Sequence, residues 1–145
     1  MNGIAMSLEE APRPEDVATI RDGLDDFNKE RVPDHLYLQR FAVFLRDADD
    51  IVVGGLLGQI GWEWLHIGYV FVPDCLRGQG YGRSLVLGAE EYAIRSGCLH
   101  AHLDTFDFQA RGFYEVLGYH EFARLEAFPR GHTRYFMRKG LGAQG

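Results

Sequence analysis

Apolar residues near the start of the chain recur three or four positions apart, which is the period of an amphipathic helix. Glu15 and Asp16 precede them and suit a first helical turn, where the helix dipole favours negative charge. The pattern predicts a helix over residues 15–28, with its apolar face formed by Val17, Ile20, Leu24 and Phe27. The next segment, 29–39, is expected to form a short helix or a loop around Pro33.

The rest of the chain alternates between strand and helix patterns. Apolar and β-branched runs bounded by turn residues predict strands, and stretches with apolar residues at helical spacing predict helices that end at glycine. The predicted strands are 40–45, 51–62, 65–72, 100–104, 120–125 and 133–139, and the predicted helices are 83–97 and 108–117. A strand, a loop and a helix at the centre of this order indicate a mixed α/β sheet in a single domain over residues 1–145.

Negative charge is concentrated in the first part of the chain. The net charge is −6, and residues 1–60 carry 12 acidic residues against 6 basic ones. Nucleic-acid-binding proteins usually present a basic face, so this balance argues against that class. An acidic rim raises the local concentration of a cationic ligand, although a solvated acidic face explains the same charges.

The cysteines and the apolar stretches indicate a cytoplasmic protein. Cys75 and Cys98 form neither a CxxC pair nor a disulfide framework, so reduced thiols are expected. No apolar run approaches the roughly 20 residues that a membrane-spanning helix needs. The first residues lack the basic and apolar regions of a secretory signal. We therefore expect no membrane partner.

A glycine-rich loop joins strand 65–72 to helix 83–97, and its sequence is Arg77, Gly78, Gln79, Gly80, Tyr81, Gly82. Glycines let a backbone approach an anion closely, and a helix N-terminus offers free N–H groups and a positive dipole end. The loop therefore predicts a pyrophosphate site, with a tight structural turn as the alternative. The P-loop lysine is missing, and Arg83 stands where the dinucleotide-binding pattern requires glycine or alanine, so neither of those patterns fits.

Two motifs resemble those of the GNAT N-acetyltransferase superfamily. Arg77, Gly80 and Gly82 match its acetyl-CoA pyrophosphate motif, R/Q-x-x-G-x-G/A, and residues 107–119, DFQARGFYEVLGY, match its second signature. The segments LDTFDFQA and PRGH are also similar to a bacterial subgroup with LDxFxFQA and PxGH segments. The detailed resemblance covers about residues 51–140.

This resemblance implies the GNAT fold and acetyl-CoA as co-substrate. The fold is a mixed, mostly antiparallel sheet that is splayed between the family's strands 4 and 5, here 65–72 and 100–104, with helices on both faces. The implied pantetheine contacts are the backbones of Val70, Phe71 and Val72, and one N–H, of Val72 or its neighbour, would hold the thioester oxygen. The implied pyrophosphate donors are the N–H groups of Arg77, Gly78, Gln79, Gly80, Tyr81, Gly82 and Arg83. Asp107 occupies a cofactor-contacting position that is usually Asn, and its acid departs from the pattern.

The resemblance also suggests catalytic residues. Tyr114 matches the tyrosine near the CoA sulfur, which can protonate the leaving thiolate. His66 stands where histone-acetylating members have a glutamate base, and an imidazole suits that role. Glu63 is the next candidate for the base, and Asp104, at the end of a strand, is a candidate acceptor-side residue or second base. Gln109 is a candidate of the same kind. Ordinary packing or strand contacts are the structural alternatives for Tyr114 and His66.

The implied reaction is direct transfer of acetyl from acetyl-CoA to a primary amine. The acidic first part of the chain favours a small cationic acceptor, and a protein amine is an alternative. A CoA-binding module without catalysis and a transferase for another acyl group are further alternatives. No metal is expected, since His100, His102 and Asp104 share one strand face but spread over about 13 Å. Family members often form homodimers, to which strand 133–139 would contribute.

Overall fold

The computed structural model describes residues 3–32 and 38–142. The chain divides after residue 35 into two units, which are described separately. The first contains helix α1, Pro14–Arg31. It begins with a proline in its first turn, where a missing N–H is tolerated, and ends with Lys29 and Arg31, whose charges suit the C-terminal dipole. The predicted helix 15–28 is thereby confirmed, and the prediction of one domain over 1–145 stays a prediction.

The second unit is a six-stranded sheet with three helical segments. The strands are β1 Gln39–Arg46, β2 Val52–Gly61, β3 Trp64–Phe71, β4 His100–Phe106, β5 His120–Glu126 and β6 Thr133–Gly140. The helices are α2 Tyr81–Arg95 and α3 Arg111–Val116, and a 3₁₀ turn spans Asp74–Leu76. The strand order is β1-β2-β3-β4-β6-β5, and β3 with β4 is the one parallel pair among the described residues. The predicted mixed, mostly antiparallel sheet is confirmed.

The hydrophobic core lies between the sheet and α2. Alternate residues of the strands point to this side, and the apolar face of α2 covers them. Fully buried members from the sheet include Leu56, Leu65 and Leu103, and from α2 they include Leu85 and Val86. This packing fixes the start of α2 relative to the end of β3, so the glycine-rich loop between them has a defined position.

Several predicted boundaries were wrong by a few residues. Helix α2 begins at Tyr81 rather than at residue 83, so the last two loop positions already belong to its first turn. Helix α3 begins at Arg111 rather than at 108, because residues 107–110 form a turn. Part of the segment 29–39 continues α1 to Arg31, whereas residues 33–37 lie outside the described residues.

Candidate active site

The two central parallel strands separate part of the way along their length. β3 and β4 pair over four positions, from Trp64 with His100 to Ile67 with Leu103. Beyond that point β3 continues to pair with β2, and β4 continues to pair with β6. β3 and β4 no longer pair with each other. This opens a fork in the sheet between the two strands. An extended molecule that enters the fork can reach backbone groups that a neighbouring strand would otherwise occupy.

A bulge on β3 marks the start of the fork. Leu57 pairs with Tyr69 and Gly58 pairs with Ile67, so Gly68 is an extra residue on β3. A bulge bends its strand and changes which groups face outward. Beyond it, Val70 and Val72 pack against the core, and Phe71 is exposed. The N–H of Val72 has no hydrogen-bond acceptor within the described part of the chain. The predicted donor to a thioester oxygen is this N–H or that of a neighbouring residue, and the assignment stays a prediction.

The glycine-rich loop presents a row of unpaired backbone donors beside the fork. The first N–H of α2 with a backbone partner is that of Ser84, which donates to Gly80 O over 3.0 Å. None of the six N–H groups before it, at residues 78–83, has an acceptor among residues 3–32 and 38–142. Gly78 and Gly80 adopt left-handed conformations, with φ of 75° and 89°, which non-glycine residues rarely adopt. Such a turn before a helix forms a concave anion site.

Side chains of the loop hold it in this shape. Arg77 donates from Nε to Val72 O at 3.0 Å, and its Nη1 lies 2.7 Å from Asp74. Gln79 donates to Cys75 O at 3.1 Å. These contacts tie the end of β3 to the start of the loop. The Arg77 side chain is therefore engaged with the protein, while the N–H groups of residues 78–83 have no acceptor among the described residues.

Tyr114 lies on α3 with its phenol buried and unpaired. The residue is 8% exposed, and its hydroxyl has no hydrogen-bond partner in the described ranges. Burial, with a contribution from the charge of Asp104, raises the pKa of Tyr114 to about 12. Gly82 allows α3 to approach α2, since a Cβ there would lie 3.2 Å from the ring of Phe113. The phenol is therefore protonated at neutral pH and free to donate to a ligand.

Two histidines face each other at the base of the fork. His66 of β3 pairs with His102 of β4, and their rings stack with centroids 4.5 Å apart. Burial lowers the pKa of His66, an effect that Asp104 opposes and Arg134 reinforces. Burial also lowers the pKa of His102. Both imidazoles are therefore neutral at pH 7, the state in which a histidine can accept a proton.

Asp104 is the first residue of β4 beyond the paired region. Its Oδ2 accepts a hydrogen bond of 2.8 Å from Nε of Arg134 on β6. Its charge acts on His66, His102 and Tyr114, which come from three different elements. The predicted catalytic residues His66 and Tyr114 therefore both lie within electrostatic reach of the third, Asp104.

Asp107 has contacts within its own chain. Its Oδ1 lies 2.9 Å from Nδ1 of His132, and its Oδ2 accepts from the N–H of Thr133 at 3.0 Å. Loss of hydration alone would raise its pKa, but these hydrogen bonds outweigh it and lower the pKa of Asp107. The carboxylate thus joins the turn after β4 to the start of β6. Its role toward a cofactor stays a prediction.

Other candidates from the sequence have structural contacts. Glu63 lies in the β2–β3 turn, at the end of β3 away from the fork, and its carbonyl accepts from Leu99 and His100. Gln109 holds the turn before α3 through Thr105 and the N–H of Phe106. Over residues 3–32 and 38–142, no group of three His, Cys, Asp or Glu side chains is arranged to hold a metal ion. No helix in those ranges is long and apolar enough to cross a membrane.

Comparison with known proteins assigns the family. A model of the acetyltransferase (GNAT) family matches residues 6–119. The chain belongs to this GNAT family. It is 35% identical over 105 residues to the blasticidin-S acetyltransferase of Streptomyces morookaense, over 72% of this chain and 77% of that protein.

Solved structures of acetyltransferases share the fold of this GNAT protein. A crystal structure from Agrobacterium tumefaciens superposes with a TM-score of 0.89 at 30% identity, covering 95% of this chain and 100% of the other. One from Bacillus cereus has a TM-score of 0.81 at 28% identity and covers 93% and 98%. The resemblance drawn from the two motifs is confirmed.

The sequence reasoning missed Arg134, the ion-pair partner of Asp104 in this GNAT protein. The two residues are 30 positions apart in sequence, and only the pairing of β4 with β6 brings them together. A weak signal was present, because one face of strand 133–139 carries Arg134, Phe136 and Arg138 in turn. Without the strand order, that alternation does not say which carboxylate the arginine meets.

Proposed function

We propose that this protein transfers acetyl from acetyl-CoA directly to a primary amine of a small molecule. The observation that carries the proposal is the row of six unpaired N–H groups at residues 78–83, at the mouth of the fork. A pyrophosphate bridge supplies the acceptors that these donors lack, and the helix dipole of α2 favours its charge. The family of the chain also supports acetyl-CoA as the acetyl donor.

The pantetheine arm would lie in the fork, along Val70, Phe71 and Val72. There β3 no longer pairs with β4, so its backbone groups can bond to the amides of the arm much as to a strand. The thioester would then lie in the fork within reach of the Val72 N–H, and the acceptor would approach it from the base of the fork, past Asp104 and the two stacked histidines. The pyrophosphate would rest on residues 77–83. Asp107 adds a negative charge beside the turn, and its carboxylate is bonded to His132 and Thr133, so we propose no side-chain contact of this residue with the cofactor.

The reaction needs proton removal, stabilisation of an oxyanion and proton return. Neutral His66 would take a proton from the acceptor ammonium or from the attacking amine, directly or through water. Attack of the amine would form the C–N bond and a tetrahedral intermediate, whose negative oxygen the N–H of Val72 would stabilise. The C–S bond would then break as the intermediate collapses. Tyr114 would return a proton to the departing thiolate of CoA. Asp104 would attract the ammonium of the incoming acceptor.

The acceptor is proposed to be a small, cationic amine. The relative from Streptomyces morookaense is named for blasticidin S as its substrate, which supports a small-molecule acceptor. The acidic residues of the first part of the chain support attraction of a cation, and six of them lie on α1. Within the site, the charge of Asp104 acts on His66 and Tyr114, which supports a role in attracting the ammonium.

The test is release of free thiol from acetyl-CoA with a panel of amines. The panel contains polyamines, amino acids, blasticidin S and a peptide with a free N-terminus, and mass spectrometry identifies the acetylated nitrogen. We expect amine-dependent thiol release with at least one small molecule and an added acetyl on nitrogen. Thiol release that no amine accelerates, in protein that binds acetyl-CoA, would contradict the proposed activity. Acetylation of the peptide alone would contradict the proposed acceptor class.

A further inference from the structure

Arg134 has hydrogen-bond donors that the protein does not use. It bonds to Asp104 Oδ2 through Nε alone, at 2.8 Å. Its two terminal amino groups have no acceptor among the described residues, and Oδ1 of Asp104 has no donor among them. An arginine with a purely structural role commonly binds its carboxylate with two parallel hydrogen bonds. Here the ion pair leaves a donor edge and an acceptor oxygen side by side.

Aromatic rings surround this guanidinium. Cζ of Arg134 lies 4.9 Å from the ring centre of Phe128, 5.2 Å from Phe136 and 5.4 Å from Phe106. The side chain is only 27% exposed. The rings fix the orientation of the guanidinium and limit its hydration. A molecule that covers the site would remove the remaining water, and the unpaired donors would then need a new acceptor.

The charge of this sheet face also favours an anionic group on the ligand. His66 pairs with His102 across β3 and β4, and His102 pairs with Arg138 across β4 and β6. Phe106 pairs with Arg134 across the same two strands, so all these side chains share one face of the sheet. The formally charged residues that β3, β4 and β6 contribute to this face are Asp104, Arg134 and Arg138. With neutral histidines the face carries a surplus of positive charge, unlike α1.

We propose that the terminal nitrogens of Arg134 bind a carboxylate of the acceptor, which makes the acceptor an amino-acid-like molecule. Its ammonium lies at Asp104 Oδ1 and its carboxylate on the free edge of the guanidinium. A planar carboxylate matches the two parallel N–H groups of that edge. An acceptor that carries a carboxylate and two or more amines can bind in this way and is still cationic overall. The inference rests on the proposed N-acetyltransferase function.

The test compares amines that differ only in the carboxylate. The panel consists of L-lysine, L-lysinamide and cadaverine, and of L-ornithine, L-ornithinamide and putrescine, with β-alanine and β-alaninamide as a shorter pair. Thiol release at saturating acetyl-CoA gives kcat/KM for each amine. We expect the carboxylates to exceed their amides and decarboxylated partners by about 10- to 100-fold, the range of a charge-assisted pair.

Variants assign this preference to Arg134. Arg134→Gln should remove the preference for carboxylates, and Arg134→Lys should keep part of it, because lysine retains the charge but not the planar edge. Arg124→Gln is the control, since Arg124 lies opposite Tyr135 on the next strand, on the helix side of the sheet, and bonds to Glu121. It should leave the preference unchanged.

Three outcomes would overturn the inference. Equal or faster turnover of the amides and diamines by the wild-type protein would contradict it without any need for a variant. A preference for carboxylates that survives Arg134→Gln in folded protein would assign the recognition elsewhere. In both cases the proposed function stands, because acetyl transfer is still observed. If none of these amines is turned over but another amine of the first panel is, the inference is overturned and the proposed function stands. If no amine of either panel is turned over, the proposed function fails, and the inference with it.

Discussion

Two neighbouring tyrosines provide a sharp test of the proposed proton donor. The rings of Tyr114 and Tyr119 are 6.0 Å apart and both are buried, but their hydroxyls differ. Tyr119 donates to Glu90 Oε2 at 2.7 Å, and that carboxylate is only 6% exposed. The hydroxyl of Tyr114 has no partner in the described part of the chain. Replacing each by phenylalanine should therefore have opposite effects on stability and on catalysis.

The magnitudes follow from these contacts. Tyr119→Phe removes a hydrogen bond to a charged group, which should lower the free energy of unfolding by about 2 kcal/mol. The loss should not be larger, because Lys139 still neutralises Glu90. At this chain length a loss of that size lowers Tm by about 4 to 8 °C, with kcat unchanged. Tyr114→Phe removes an unpaired buried hydroxyl, so the free energy of unfolding should stay constant or rise by up to about 1 kcal/mol. If the phenol returns the proton to CoA, kcat should fall about 100-fold or more.

The assays are urea denaturation for stability and thiol release for kcat. Because the pKa of Tyr114 is raised to about 12, wild-type kcat should show no loss from phenol ionisation up to about pH 10. A Tyr114→Phe variant with lower stability and unchanged kcat would refute the reasoning, because the hydroxyl would then be a structural group. Loss of kcat in both variants would show that the assay reports folding rather than proton transfer.

Two further predictions concern packing and pH. Gly82→Ala should be about 1 to 2 kcal/mol less stable than Gly88→Ala. The new Cβ at residue 82 would lie 3.2 Å from the ring of Phe113, whereas a Cβ at residue 88 would meet open space. Equal urea midpoints would contradict the close approach of α3 to α2. Burial lowers the pKa of His66 and of His102, so the folded state binds fewer protons than the unfolded state. Stability, measured as the urea midpoint, should therefore decrease as the pH falls from about 7 to about 5. The decrease should be smaller when both histidines are replaced by glutamine. The same decrease in the double variant would assign the pH dependence to other groups.

Local patterns account for most of what could be predicted of the fold. The strand–loop–helix unit around Gly80 could be read from sequence because glycine spacing and helical periodicity are properties of consecutive residues. The start of α3 could not, because Gln109 and Thr105 form a side-chain network in place of the first helical turn. That choice depends on tertiary contacts rather than on propensity.

The candidate site shows the same division. Tyr114 and the loop donors could be located because they belong to motifs with fixed spacing. Arg134 could not be located, since its ion pair with Asp104 depends on the strand order β4-β6-β5. The partner of Asp107, His132, lies 25 positions away and was missed for the same reason. Long-range side-chain contacts follow from topology, and topology follows only partly from local pattern.

The most direct measurement is thermal unfolding of the wild-type protein with acetyl-CoA, CoA, ATP or NADH. At about 100 times Kd a bound ligand stabilises by roughly 2.7 kcal/mol, which is several degrees at this chain length. Gly80→Glu places a carboxylate among the loop donors, and Gly88→Glu, two turns into α2, is the control. We predict a shift with the two CoA ligands, retained in Gly88→Glu and lost in Gly80→Glu. No shift with acetyl-CoA, or an equal shift in Gly80→Glu, would contradict the assignment of residues 78–83 as the cofactor site.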